Sequence, residues 1–221
     1  MQAITVFWDY ICPFCFIGTR RVQRLVDEFS LEQVWKGWEI HPEVPFEGMA
    51  VSCFSSEMIW NLEARVRRLA DEIELKIRMP EKLSNSRLAL LGGEFAREAG
   101  RFHEYHEAVF TAYFQEGKDI GDIGVLVEIA NDIGLEERTF REAVVTKRFA
   151  GMLEASLKEV RSLGLRGVPS FVFGDGSIVV GAQPYVILRE AAEKSLRAAN
   201  MTPPTTSSHP LRRRSGTLST P

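Results

Sequence analysis

Cys12 and Cys15 stand where a two-residue hydrophobic period gives way to a helical one, and no other feature of the sequence constrains the fold as tightly. Upstream, Ile4, Val6 and Trp8 alternate with Thr5 and Phe7, a run of β-formers apolar enough on both sides to be a central strand. It ends at Asp9-Tyr10. From Pro13 the pattern predicts a helix, with Val22, Leu25, Val26 and Phe29 on one face and Ile17, Arg21, Arg24 and Glu28 on the other. Pro13 suits the first helical position, where its missing N–H would have had no partner. Cys12 therefore falls at a helix N-terminus, where unpaired N–H groups and the positive end of the helix dipole favour a thiolate. Cys15 follows about one turn later on the same side, within reach of a bridge to Cys12. The pair reads as redox chemistry in which Cys12 attacks a disulfide and Cys15 displaces the captured thiol. The same steps in reverse oxidise a dithiol.

The rest of the chain is read around that junction. A second strand is expected from about Val34 to Ile40, making a strand–helix–strand unit with a parallel pair. After Pro42 and Pro45 the pattern is helical from Ser56 to Leu163, interrupted near Met79-Pro80 and around residues 117–122. Ile59, Leu62, Val66, Leu69 and Ile73 recur at helical spacing, and further helices are expected over 88–98, 103–114, 123–133 and 136–163, the last with an internal break. Strand character returns at Ser170 to Phe173, and the turn Gly174-Asp175-Gly176-Ser177 leads into Ile178-Val179-Val180, the strongest hairpin signal in the chain. A last helix is expected from Pro184 to Ala199, followed by a Thr-, Ser- and Pro-rich stretch from Met201 to Pro221 that reads as a disordered tail. The division expected is a sheet-bearing unit from 1–45 and 165–200, a helical insertion over 46–164, and the tail over 201–221.

Composition narrows the chemistry. With 221 residues, 45% of them apolar, the chain can bury a core without disulfide staples. A formal net charge of −3 gives no reason to expect nucleic acid or an anionic membrane as partner. No apolar stretch approaches the roughly 20 residues of a membrane-spanning helix. The sequence runs from Met1-Gln2-Ala3 straight into the first strand without a leader pattern, so a cytoplasmic location is expected. Three cysteines in a reducing compartment do not make a structural disulfide framework, which leaves Cys12 and Cys15 to be explained by chemistry.

Competing readings attach to other residues. A zinc site would need Cys53 and His41 beside the Cys12–Cys15 pair, yet no second Cys-x-x-Cys or spaced His pair exists, and no metal is expected. His103 and His106, three apart on one helix, lack the His-Glu-x-x-His pattern. Cys53 is read as an incidental thiol and His41 as a strand-end residue. Asp9 is either a proton acceptor beside the active turn or a turn former, and Asn85 is either a ligand-orienting residue or a helix cap. Arg212 to Arg214 are too few for a nucleic-acid module. Gly167-Val168-Pro169-Ser170 precedes a strand, where proline is tolerated.

Taken together, these motifs resemble the DsbA-like branch of the thioredoxin-fold proteins and, within it, the cytosolic FrnE-type dithiol-disulfide isomerases. The resemblance rests on Phe7-Trp8-Asp9-Tyr10-Ile11-Cys12-Pro13-Phe14-Cys15 with Gly18, on Asn85-Ser86, and on Ala112-Tyr113-Phe114 followed by Asp119-Ile120. Gly167-Val168-Pro169-Ser170-Phe171 and Gly181-Ala182-Gln183 complete it, over about residues 3 to 197. It implies an α/β fold, a thioredoxin-like mixed sheet with a large helical insertion capping the active face. It implies Cys12 and Cys15 as catalytic thiols, a cis Val168-Pro169 bond lying against them, and substrate binding by Pro13, Phe14, Val168 and Pro169. No cofactor is implied beyond the redox-active disulfide, with protein or peptide thiols and disulfides as substrates and glutathione or thioredoxin as redox partner. Nothing in the pattern specifies an oligomeric state. Phe14 departs from relatives that carry Trp or His there, and it cannot donate a hydrogen bond. The wider group includes 2-hydroxychromene-2-carboxylate isomerases and kappa-class glutathione transferases, which typically carry Ser where this chain has Cys12. A glutathione-dependent isomerase or transferase of small aromatic molecules is therefore the alternative enzyme, and a redox-sensing peptide-binding holdase the alternative outside enzymes.

Overall fold

The computed structural model describes residues 2–201. The expected tail lies outside that range except for Met201, which closes the last helix. Strand β1 (Ala3–Trp8), helix α1 (Pro13–Phe29) and strand β2 (Glu32–Gly37) form the first unit, with β1 and β2 parallel and Val6 opposite Trp35. Ile4, Val6 and Trp8 share one face of β1 and feed the main core, as alternation requires.

Two expectations about this unit are corrected. Strand β2 ends at Gly37 and not at Ile40. Trp38 N–H still donates to Trp8 O at 2.8 Å, but Ile40 N–H turns to the Asp9 carboxylate (2.9 Å) and the chain leaves the sheet. On α1, Ile17 and Arg21, assigned to the outer face, are buried at 0% and 4% exposure. Arg21 is accommodated because its guanidinium donates to Ala182 O (2.8 Å), Gln183 O (2.6 Å) and Glu72 Oε2 (2.9 Å), so no donor is stranded without a partner on that side.

Beyond β2 come β3 (Met49–Ala50), α2 (Ser56–Asp71) and β4 (Lys82–Leu83), then α3 (Arg87–Glu98), α4 (Phe102–Phe114), α5 (Ile123–Asp132), α6 (Glu137–Val145) and α7 (Ala150–Ser162). The helices expected here are present, with one addition: β3 and β4 pair antiparallel in a two-residue ladder too short to carry a period. The last helical run breaks between α6 and α7, where Lys147 adopts a left-handed φ of 56°.

The hairpin follows as β5 (Ser170–Phe173) and β6 (Ile178–Val180), and α8 (Tyr185–Met201) ends the described chain. The result is an α/β fold with one mixed sheet in the order β2-β1-β5-β6, in which β1 pairs parallel to β2 and antiparallel to β5. Helices α1 and α8 pack together, α8 rests on β5, and α7 lies against β2. One apolar cluster runs from Ile4 and Val6 of the sheet through Leu25 of α1 to Phe110 of α4 and Phe140 of α6. The helical segment and the sheet therefore share a core.

Candidate active site

The site begins with a strand that stops and a helix that starts with proline. Asp9 to Ile11 turn the chain out of β1, Cys12 N–H donates to Asp9 O (3.3 Å), and Cys12 becomes the N-cap residue of α1 with φ −91° and ψ 111°. Its carbonyl accepts from Cys15 N–H (3.0 Å) and Phe16 N–H (3.4 Å), while no side chain caps the first turn.

Cys12 Sγ donates to Val168 O at 3.6 Å, which joins residues 156 positions apart. The Val168-Pro169 bond is cis, and this loop is fixed by Ser170 Oγ donating to Gly167 O (2.6 Å) and Gly181 N–H donating to Pro169 O (2.7 Å). Gly18 lets α1 approach it. A Cβ there would lie 3.2 Å from Pro169 Cγ and 3.3 Å from Phe171 Cζ.

All three cysteines are free thiols. Cys15 lies behind Cys12 at 2% exposure, and its thiol is pushed well above its ordinary range, first by burial and next by the neighbouring Cys12. Asp9 is fully buried, and its carboxyl is raised to about 6 by loss of solvation, against the opposing pull of the Ile40 amide and the Ser86 hydroxyl. Its Oδ1 has no hydrogen-bond partner. Asp9 charge in turn acts on Cys15 and raises it further.

A cavity of about 510 Å³ opens beside Cys12. Pro13, Phe14 and Val168 line it together with Cys12, so these four expected residues come together, whereas Cys15 and Pro169 sit behind its wall. Its far side is formed by Met58, Ile59 and Leu62 of α2 and by Trp38 and Ile40. Phe14 is half-buried, with the Arg65 guanidinium 5.0 Å from its ring centroid, so α2 is tied to the active turn by a cation–π contact. The apolar period of α2 was readable, but its role as the cavity wall was not, because half of that helix faces open space rather than core.

The remaining candidates separate. His41 reaches the cavity rim and pairs with Glu43 (2.8 Å). Cys53 is exposed on the short 3-10 turn Val51–Cys53. Among the described residues no cluster of three or more His, Cys, Asp or Glu is arranged to hold a metal. His103 is exposed, whereas His106 is 2% exposed and packs edge-on against Trp8 (4.5 Å), with Trp35 at 4.6 Å. Burial holds the His106 imidazole well below its usual range and hence neutral. Its Nε2 meets Thr19 Oγ1 (3.1 Å), and Thr19 Oγ1 also donates to Cys15 O (3.1 Å). With the one hydroxyl proton spent on Cys15, Nε2 carries the imidazole hydrogen and Nδ1 is left without a partner. Asn85 stands one residue before Ser86, the N-cap of α3; its Oδ1 accepts from Arg87 N–H (3.0 Å) and its Nδ2 donates to Val44 O (2.7 Å).

Comparison with known proteins agrees with this geometry. A sequence profile described as the DSBA-like thioredoxin domain matches residues 3–193. YwbO of Bacillus subtilis (strain 168) is 30% identical over 182 residues, covering 81% of this chain and 90% of that protein. SCO1869 of Streptomyces coelicolor, described as a probable DsbA oxidoreductase, superposes with a TM-score of 0.81 at 24% identity, covering 89% of this chain and 91% of that one. A 2-hydroxychromene-2-carboxylate isomerase superposes at 0.69 and 17% identity (90% and 98% covered), and the cytosolic disulfide reductase DsbM of Pseudomonas aeruginosa at 0.62 and 20% (89% and 99%). These structural likenesses speak for the fold. The profile match over nearly all of the described residues, beside the 30% identity to YwbO, establishes that the chain belongs to the DSBA-like thioredoxin domain family.

Proposed function

We propose that the protein is a dithiol-disulfide oxidoreductase or isomerase of the FrnE type, acting on protein or peptide disulfides through Cys12 and Cys15. The observation that carries this reading is the placement of Cys12 Sγ at a helix N-terminus, on the wall of an apolar cavity and against Val168 O, with Cys15 one turn behind it. In the reaction, Cys12 thiolate attacks one sulfur of a substrate disulfide, forming a mixed disulfide and releasing the other sulfur as a thiolate that takes a proton from water. Cys15, held as a thiol by burial, passes its proton to the Asp9 carboxylate and attacks the Cys12 sulfur. The substrate sulfur leaves as a thiolate that takes up the proton held by Asp9, and Cys12 and Cys15 are left oxidised to a disulfide. A thiol donor such as glutathione or thioredoxin returns the pair to the dithiol, and a substrate's own thiol resolving the adduct gives isomerisation. Pro13, Phe14, Val168 and Pro169 position the substrate chain, Val168 by its main-chain groups at the cavity rim.

We place this chemistry in the cytosol, where a reducing thiol pool supplies the electrons. DsbM, described as a cytosolic disulfide reductase and also solved with glutathione, shares the fold. Among the described residues no helix is long and apolar enough to cross a membrane.

A second reading is favoured by one observation, the apolar cavity beside Cys12: a glutathione-dependent isomerase of a small aromatic molecule, like the isomerase that shares the fold. Turnover of a scrambled-disulfide protein in glutathione buffer, by the unaltered protein, Cys12→Ser and Cys15→Ser, separates the two. Cys12→Ser should abolish activity, and Cys15→Ser should accumulate a mixed disulfide on Cys12. Robust small-molecule turnover by Cys12→Ser, with no disulfide activity in the unaltered protein, would sink the assignment.

A further inference from the structure

Ser86 belongs to the residue types that cap helices and stands at the N-cap of α3, yet its side chain does not cap. The backbone carbonyl of Ser86 accepts from Leu90 N–H (2.9 Å), while the first-turn amide of Arg87 goes to Asn85 Oδ1 (3.0 Å). The hydroxyl is thereby released from the helix. Ser86 is 1% exposed, and its Oγ lies in the interior with no hydrogen bond closed. Buried hydroxyls in folded proteins are normally paired.

Its neighbour is the carboxyl that follows β1. The loop after β2 is tied at one end to Asp9, whose Oδ2 accepts from Ile40 N–H (2.9 Å), and at the other to Asn85, whose Nδ2 donates to Val44 O (2.7 Å). That loop brings the start of α3 up to Asp9, and the Ser86 hydroxyl there favours the charged carboxyl. Asp9 Oδ1, like Ser86 Oγ, has no hydrogen bond closed. A hydroxyl both donates and accepts, so one side chain can serve a carboxylate and a carboxylic acid in turn.

We propose that Ser86 is a positioning residue for the proton transfer from Cys15, its hydroxyl donating to Oδ1 of ionised Asp9 and accepting from it once the proton has arrived. This rests on the oxidoreductase reading above. The Cys15 proton passes to Asp9 Oδ1, the Cys15 sulfur bonds to the Cys12 sulfur, and the bond from Cys12 to the substrate sulfur breaks. The departing thiolate then takes the proton from Asp9. Donation to a carboxylate is the stronger of the two bonds, because it is charge-assisted. Ser86 therefore keeps Asp9 a weaker base than burial alone would make it, and ready to accept at a lower pH. Of the other groups coupled to Asp9, Glu39 is paired with Arg87 (2.6 Å), and burial keeps Tyr10, Tyr113 and Cys15 protonated. All four remain in a Ser86 variant.

The test follows the reduced protein after mixing with excess glutathione disulfide, with acid quenching and mass spectrometry. Cys12 captures one glutathione and releases the other as a thiol; Cys15 then closes the Cys12–Cys15 disulfide and releases the second, two electrons passing to glutathione. The fractions of free, adducted and oxidised protein give the capture and resolution rates separately. In the unaltered protein the resolution rate should fall on the acid side of a midpoint near the Asp9 value of about 6. In Ser86→Ala that midpoint should rise by about one pH unit, the shift produced by about a tenfold loss of preference for the charged carboxyl. A second reading comes from carboxyl-carbon NMR of the reduced protein, with the Asp9 signal assigned by its loss in Asp9→Asn. Its titration should move upward in Ser86→Ala too.

A change of rate by the same factor at every pH, with both midpoints in place, would assign Ser86 to packing alone and overturn the proposal. An Asp9 titration that moves while the resolution profile stays would also overturn it, because Asp9 would then not be the acceptor. Either result leaves the oxidoreductase reading in place. An unaltered protein that neither captures glutathione nor closes the Cys12–Cys15 disulfide would take down both.

Discussion

Replacing Asp9 by Asn should change the stability of the reduced protein in a manner that depends on pH. Asp9 is fully buried, and its carboxyl is raised from 3.8 to about 6, principally by burial. A rise of about 2 pH units at about 1.4 kcal/mol each comes to about 3 kcal/mol. For a carboxyl raised on folding, the stabilising contribution is complete below pH 3.8 and is lost as pH climbs through 6, because the unfolded chain gives up its proton first. Asn at this position keeps an acceptor for Ile40 N–H but does not ionise. The difference in unfolding free energy, variant minus unaltered protein, should therefore rise by about 3 kcal/mol between about pH 4 and about pH 7.5. His106, kept neutral by burial, tilts stability the other way, gaining as pH rises through the imidazole range, but it is common to both proteins and cancels. Urea denaturation across that range, followed by far-ultraviolet circular dichroism under reducing conditions, gives the difference directly. A constant offset would reflect only how well the amide fits. A difference that stays flat with pH, or falls, would refute the assignment of a raised Asp9.

Other outcomes follow from the same contacts. Arg21→Met removes the donor that serves two carbonyls and leaves them facing apolar side chain, so it should cost about 2–4 kcal/mol in urea denaturation. Tyr105→Phe deletes a buried hydroxyl that has no partner, and it should be neutral or stabilising by about 1 kcal/mol, the reverse of an ordinary buried tyrosine. With a small alkylating reagent near neutral pH, mass-spectrometric mapping should find Cys12 modified before Cys15, because burial and Cys12 itself hold the Cys15 thiol protonated.

Where local chemistry decides structure, the sequence was legible. Strand β1, the start of α1 and the β5–β6 hairpin rest on alternation, a proline at the first helical position and a glycine turn, and each formed where expected. The Cys12–Val168 contact joins two motifs far apart in the chain and was anticipated only through the family resemblance. Errors arose where a distant partner overrides a local preference. Arg21 reads as a solvent-facing residue until Glu72, Ala182 and Gln183 are seen around it. Trp38 and Ile40 continue a strand alternation, but the Asp9 carboxylate takes the Ile40 amide and the sheet ends. The break between α6 and α7 carries no glycine or proline, only Lys147 in a left-handed conformation, so its position had no marker. His106 gave no hint of depth because the rings that enclose it come from β1, β2 and α4 together.

The three acceptors of Arg21 have a further meaning for how such a chain can be taken apart. Glu72 belongs to the end of α2, Ala182 and Gln183 to the link between β6 and α8, and Arg21 itself to the helix that begins at the redox pair. One side chain thus rivets the inserted segment to both ends of the protein that surrounds it. Excising residues 46–164 to leave a minimal redox domain would remove the carboxylate that pairs with this buried cation and would unroof the turn that carries Phe14. The insertion is not a detachable cassette, and exchanging it between relatives should succeed only when α1 and the β6–α8 link travel with it.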